Sequence, residues 1–216
     1  MTPTPTSRQR LGGIQHPAAA AALAAGGLIG SGTLALQDPL LDAELRLTDW
    51  LSNAPDPIAW LVYLPMQLGT IGASLALCVL VATAGRDRVL GLTMVGAVLT
   101  TWLLARGVKT VVDRGRPIEY LPDIDVRDVV RSDLGYASSH AAVAATATVM
   151  AMVVLPRGYR WVAPATAALV GVGRVVHGVH LPLDVIGGWS MGTLVALLGL
   201  AVVDIIERRS ANRAAY

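Results

Sequence analysis

The sequence predicts an all-α integral membrane protein, a bundle of six transmembrane helices. Composition points there first: 54% of the 216 residues are hydrophobic and only 15% charged, with a mean hydropathy of +0.56. A soluble domain carries about 25% charged residues. Long apolar stretches point there second, at 11–37, 57–85, 89–105, 134–156, 161–173 and 185–203. Crossing the hydrocarbon takes about 20 helical residues, with a range of about 17 to 25. Four of the stretches reach this directly, and the third and fifth extend through "RGVKTVV" and "GRVVHGV". Third, lipid offers no partner to free backbone groups, so an open chain crosses it as helices.

The opening "MTPTPTSRQR", residues 1–10, is polar and Pro/Thr-rich, and is expected to be a disordered tail. Residues 11–209 are expected to form the six-span domain and 210–216 a second short tail. No A-x-A cleavage site follows the first apolar run, so it is read as a span and not as a cleaved signal peptide. Next, "PLLDAELRLTDWLSNAPDP" reads as a short amphipathic helix with two placements open. Leu41, Leu45, Trp50 and Leu51 could face lipid while Asp42, Glu44, Arg46 and Asp49 face water, or the helix could pack beneath the outer loops. Gly/Ala-rich stretches such as "AAAAALAAGGLIGSG" and "GGWSMG" suit close helix packing, within the chain or in a homo-oligomer. Cys78, the single cysteine, lies in an apolar run and excludes a disulfide framework. A net charge of +2, with no basic block, excludes nucleic acid as a partner.

Loop charge orients the spans. If six spans alternate, one side holds Arg8, Arg10, Arg86, Arg88, Arg157, Arg160, Arg208, Arg209 and Arg213 against three acids, Asp87, Asp204 and Glu207. The other side holds the remaining twelve acids. The positive-inside rule puts the basic side and both termini in the cytoplasm.

Three polar islands then reach the extracytoplasmic side. "KTVVDRGRP" brings Lys109, Arg114 and Arg116; "GYASSH" brings Ser138, Ser139 and His140; "GRVVHGVHLPLD" brings Arg174, His177, His180 and Asp184. Any one of these cations alone would be read as snorkelling to headgroups. Together Lys109, Arg116 and Arg174 suit a phosphate, onto which guanidinium donors fork while lysine acts as a point charge. Asp184 lies four residues after His180, with Pro182 placed to open the last helix. There it can hold one imidazole nitrogen and leave the other to attack, as well as cap the helix. His140, from another span, can protonate a leaving group. Ser138 and Ser139 offer hydroxyl and backbone donors at a helix N-terminus, where anions bind.

In order and spacing, Lys109-x6-Arg116-Pro117, Ser138-x-His140 and Arg174-x5-His180-x3-Asp184 resemble the three motifs of the type 2 phosphatidic acid phosphatase (PAP2) family. Those motifs are K-x6-R-P, P-S-G-H and S-R-x5-H-x3-D. Ala137, Ser139 and Gly173 depart from the usual Pro, Gly and Ser. The resemblance implies a helical core like that of PAP2 enzymes and haloperoxidases, and no metal or other cofactor. It implies that His180 is a nucleophile forming a phosphohistidine, oriented by Asp184, and that His140 is the acid. Lys109, Arg116, Arg174, Ser138 and Ser139 would hold the phosphoryl oxygens. Arg114 and His177 fall outside the motifs, as a headgroup contact or loop ion pair and a packing residue. The acids Glu119, Asp123, Asp125 and Asp128 are expected to be solvated in the outer loop, the alternative being that they restrain the cations or gate entry.

The expected function is metal-independent hydrolysis of a membrane lipid phosphate or diphosphate at the outer leaflet. Phosphatidic acid, phosphatidylglycerol phosphate and a polyprenyl diphosphate carrier are the substrate candidates. The alternative from a different class is a non-catalytic phospholipid-binding or transport protein that retains the pocket. A haloperoxidase shares the anion site, but that class is usually soluble, which six apolar spans oppose.

Overall fold

The computed structural model describes Ile14 and residues 16–85, 87–130 and 133–214. The stretch 1–10 with Arg8 and Arg10, as well as Arg86 and the end of the last tail at 215–216, lie outside them. Among the described residues every regular element is helical. In chain order these are α1 (Pro17–Ala35), α2 (Asp42–Ser52), α3 (Asp56–Gln67), α4 (Ile71–Thr83), α5 (Arg88–Val112), α6 (Pro117–Tyr120), α7 (Ser139–Ala151), α8 (Val162–Val176) and α9 (Pro182–Ala214). Short 3₁₀ turns, Met152–Val154 and Arg157–Tyr159, join α7 to α8.

Helix ends follow local chemistry. Pro17 opens α1 and Pro182 opens α9, where a missing N–H costs nothing. The Asp87 carboxylate accepts from the Leu90 amide at 3.1 Å and starts α5. α8 stops in a Schellman turn: the Val179 amide donates to the Arg174 carbonyl and the Gly178 amide to the Val175 carbonyl. Gly178 sits there at φ +66°, and a Cβ would come within 2.6 Å of the Asp125 carbonyl oxygen. α9 continues through Ala214, so most of the segment expected to be a tail is helical.

The six apolar stretches do not become six equal helices. Among the described residues α1, the α5–α6 run and α9 are each long and apolar enough to cross a membrane, and α3 with α4, bent by 52°, forms a broken span or a re-entrant loop. The uninterrupted span expected over 57–85 is therefore broken. Gly69 lies in the break at a close approach, where a Cβ would lie 2.5 Å from Val170 Cγ1 and 2.9 Å from the His140 carbonyl oxygen. Thr70 restarts the helix by accepting from the Ala73 amide at 3.2 Å. α7 and α8, with 13 and 15 residues, are shorter than a full span because the chain at 134–138 and 177–181 is spent on loops that carry polar groups.

α7 is the central helix, buried along nearly its whole length, with α5, α8 and α9 around it and α1 outside α9. Alanines on α7 meet glycines on α9: a Cβ at Gly192 would lie 2.1 Å from the Ala142 carbonyl oxygen, and one at Gly188 2.5 Å from that of Ser138. Thr146 ties three helices in the apolar interior, sharing a 2.8 Å hydrogen bond with Thr101 Oγ1 and lying 3.1 Å from the Gly192 carbonyl oxygen. Leu90, Met94, Val98, Met150, Leu200 and Val203 fill the core beside it. Outward faces are apolar: Leu23, Leu61, Leu64, Leu92 and Leu198 are all exposed, as lipid contact requires. Trp50 and Trp60 are exposed near one end, Tyr159 and Trp161 near the other, the arrangement of two interfacial belts.

Candidate active site

Four connections meet at one end of the bundle. The last turn of α5 carries Lys109, and the link from α5 to α6 carries Arg114 and Arg116. The start of α7 carries Ser138, Ser139 and His140; the last turn of α8 carries Arg174; the turn between α8 and α9 carries His180, with Asp184 in the first turn of α9. Lys109, Arg114, Arg116, Ser138, Arg174, His180 and Asp184 are all buried. Ser139 and His140 are half-buried.

Asp184 has two tasks at once. Its Oδ2 accepts from the Leu181 amide at 3.0 Å, capping α9, and lies 3.1 Å from His180 Nδ1. A carboxylate only accepts, so His180 carries its proton on Nδ1 and turns a lone pair outward on Nε2. The Arg116 guanidinium donates to that Nε2 at 3.2 Å and to the Val179 carbonyl at 2.5 Å. Burial first, then Lys109, Arg116, Arg174 and His140, holds the His180 pKa well below its ordinary value, so the imidazole stays neutral.

The surrounding cations are fixed by backbone and carboxylate partners. Lys109 Nζ donates to the Leu134 and Gly135 carbonyls at 2.9 and 2.6 Å, holding the irregular segment before α7 against the end of α5. Arg174 pairs with Asp128 of the outer loop. The Ser138 amide donates to the Asp184 carbonyl at 2.9 Å, so this backbone donor, expected to serve an anion, serves α9 instead. Its hydroxyl remains: Ser138 Oγ is buried without a hydrogen-bond partner, as is Arg174 Nε. Ser139 is the first residue of α7, where a helix has amides with no carbonyl one turn earlier.

The structure thus brings together all eight residues singled out by the three motifs. It also decides two alternatives left open, for α2 and for Arg114, and corrects one expectation, for Asp128. Glu44 does not face water; it is buried, its carboxylate oxygens 3.2 and 2.5 Å from the Arg114 guanidinium. The amphipathic α2 therefore turns its polar stripe inward and packs beneath the loops. Arg114 is no headgroup contact, since it also donates to Asp184 Oδ1 at 3.0 Å. Asp128 is not a solvated loop acid, because it holds Arg174. Glu44, Thr48 and Ser52, all buried, recur every four residues along α2. That polar stripe was the sequence signal for Glu44. His177 is a packing residue as expected, buried, with Nδ1 2.8 Å from the Gly173 carbonyl oxygen and its ring beside Tyr63.

One departure from the motifs, Gly173, has a local cause. A Cβ at Gly173 would lie 3.0 Å from Met66 Cβ and 3.4 Å from the Val62 carbonyl oxygen, so the missing side chain lets α8 sit against α3. Ala137 is fully buried. Among the described residues no cluster of three or more His, Cys, Asp or Glu side chains has the geometry of a metal site.

Fold and site together define a multi-pass membrane protein with a buried imidazole–carboxylate pair facing a nest of cations. The chain belongs to the PAP2 superfamily, which matches residues 88–207, the segment from α5 into α9. It is 30% identical over 117 residues to an undecaprenyl-diphosphatase of Sulfolobus acidocaldarius, a match covering 54% of this chain and 57% of that relative's length. It resembles the crystal structure of a transmembrane PAP2-type phosphatidylglycerolphosphate phosphatase from Bacillus subtilis. That likeness has a TM-score of 0.71 at 25% identity, over 87% of this chain and 96% of the other. Aquifex aeolicus LpxE shares the fold at a TM-score of 0.61 and 22% identity, over 78% of this chain and 96% of its own.

Proposed function

We propose that this chain is a phosphatase acting on a membrane lipid phosphate or diphosphate through a phosphohistidine, with no step that requires a metal. The observation that carries the proposal is the line from Asp184 Oδ2 through His180 Nδ1 and Nε2 to Arg116, at the end of the bundle where the buried cations Lys109 and Arg174 and the first turn of α7 with His140 also lie. A neutral, oriented imidazole is a nucleophile, and the cations are placed for the charge of a transferring phosphoryl group.

The chemistry balances with these residues alone. His180 Nε2 attacks phosphorus while the bond to the leaving oxygen breaks, and His140 delivers a proton to that oxygen. Asp184 keeps the Nδ1 proton and stabilises the positive ring that forms. Water then attacks the phosphohistidine, the N–P bond breaks, His140 takes the water's proton, and inorganic phosphate leaves. Lys109, Arg116, Arg174 and Ser138 Oγ would hold the phosphoryl oxygens throughout, with Ser139 at the start of α7.

Loop charge supports an extracytoplasmic site and cytoplasmic termini. The substrate candidates are phosphatidic acid, phosphatidylglycerol phosphate and a polyprenyl diphosphate. Purified protein assayed with EDTA against all three tests the reading. Phosphate release that vanadate inhibits and His180→Ala abolishes is the expected result. Headgroup binding without turnover on every lipid would replace it with a binding or transport function.

A further inference from the structure

Outside the three motifs, two buried charged residues that the reaction above does not use, Glu44 and Arg114, are joined to Asp184, which it does use. Arg114 stands between two carboxylates, with its two terminal nitrogens on Glu44 at 3.2 and 2.5 Å and one of them on Asp184 Oδ1 at 3.0 Å. Glu44 Oε1 also accepts from the Leu183 amide at 2.9 Å, binding α2 to the first turn of α9. Glu44, Arg114 and Asp184 are all at least nine-tenths buried. Arg114 Nε is buried without a partner, so the guanidinium is not placed for its own best solvation.

A buried ion pair is a weak device for stability, because desolvation offsets most of its attraction. Packing alone would fill this space better with apolar side chains. Its position offers a different reason. Asp184 has two oxygens: Oδ2 serves His180 and the α9 cap, and Oδ1 meets Arg114. Whatever fixes Oδ1 fixes the plane of the carboxylate, and so the direction of the bond to His180 Nδ1. Glu44 divides the Arg114 charge, so the guanidinium cannot turn wholly onto Asp184 and draw Oδ2 away from the ring.

We propose that Glu44 and Arg114 are positioning residues: Glu44 on α2 holds Arg114, which sets the Asp184 carboxylate and through it the attacking orientation of His180. This rests on the phosphatase reading. Neither residue touches the phosphoryl group, so their loss changes kcat and leaves KM nearly as it was.

The test compares wild type, Glu44→Gln, Glu44→Asp and Arg114→Met in detergent, with a short-chain phosphatidic acid as substrate. Folded fraction is measured by size-exclusion chromatography and thermal unfolding. Per folded molecule, Glu44→Gln is expected to lose about 10- to 100-fold in kcat with KM changed by less than about threefold, as for an interaction made in the transition state. Glu44→Asp, which keeps the charge, recovers part of that loss, and Arg114→Met loses at least as much as Glu44→Gln. Equal kcat in wild type and Glu44→Gln overturns the inference alone. So does a loss that follows only the folded fraction, or Glu44→Asp no better than Glu44→Gln. If Glu44→Gln does not fold, Glu44→Asp and Arg114→Met decide on the same kcat-against-KM criterion, and full kcat in both overturns the inference. Wild type without turnover on this lipid or the other two candidates overturns the phosphatase reading and the inference with it.

Discussion

His180 Nδ1 and Asp184 Oδ2 lie 3.1 Å apart across the first turn of α9, and the same Oδ2 accepts from the Leu181 amide. The ring is thus oriented by a carboxylate that the helix itself holds still. Asp184→Asn keeps the shape but can offer the wrong hydrogen-bonding partner to Nδ1, so kcat should fall on the order of 10³- to 10⁴-fold. Steady-state phosphate release checks this, and unchanged kcat would remove Asp184 from the mechanism.

Neutrality of His180 has a sign that can be measured. Its pKa lies below the ordinary histidine value, chiefly from burial and then from Lys109, Arg116, Arg174 and His140. The nucleophilic form therefore persists as pH falls through about 6.5, the unperturbed value. The acid limb of kcat/KM, which reports the free enzyme, should lie below that pH. Lys109→Met should move the limb upward, because one of the charges that opposes protonation is gone. Comparing the two proteins on one substrate cancels the substrate's own ionisation.

Asp128 occupies Arg174 from the outer loop, where an arriving phosphate must compete with it. Asp128→Asn should tighten vanadate inhibition by about two- to fivefold, the scale of a partly exposed ion pair. Inhibition curves at fixed substrate measure the shift, and weaker inhibition in the variant would show that Asp128 assists binding and does not compete.

Close contact of α7 with α9 depends on glycine. A methyl group at Gly192 would meet the Ala142 carbonyl oxygen at 2.1 Å, so Gly192→Ala should destabilise by about 1–3 kcal/mol through overpacking. Thermal unfolding in detergent checks this, with lost activity expected alongside because Ser138 and His140 ride on α7.

Much of this was legible in the sequence because membrane helices and motif spacings both act over short distances. An apolar run declares itself within its own residues, and Asp184 reaches His180 across one helical turn. What escaped depended on partners far apart along the chain. Glu44 lies 70 residues from Arg114, so nothing near it signals a cation, and only the buried Glu44–Thr48–Ser52 stripe hints that this face turns inward. The break in the second span was equally hidden. Gly69 looks like any other small residue in an apolar run until α7 and α8 press against it. Asp128 reads as one acid among several until the loop is folded back onto Arg174.

The glycines of α9 make its seam with α7 a rigid floor beneath the site. On the floor, backbone rests on backbone, and even one added carbon has nowhere to go. Across the site, Glu44 of α2 and Asp128 of the 121–130 loop reach Arg114 and Arg174 through side chains. An added carbon is therefore absorbed more readily on that outer side than along the seam of α7 with α9.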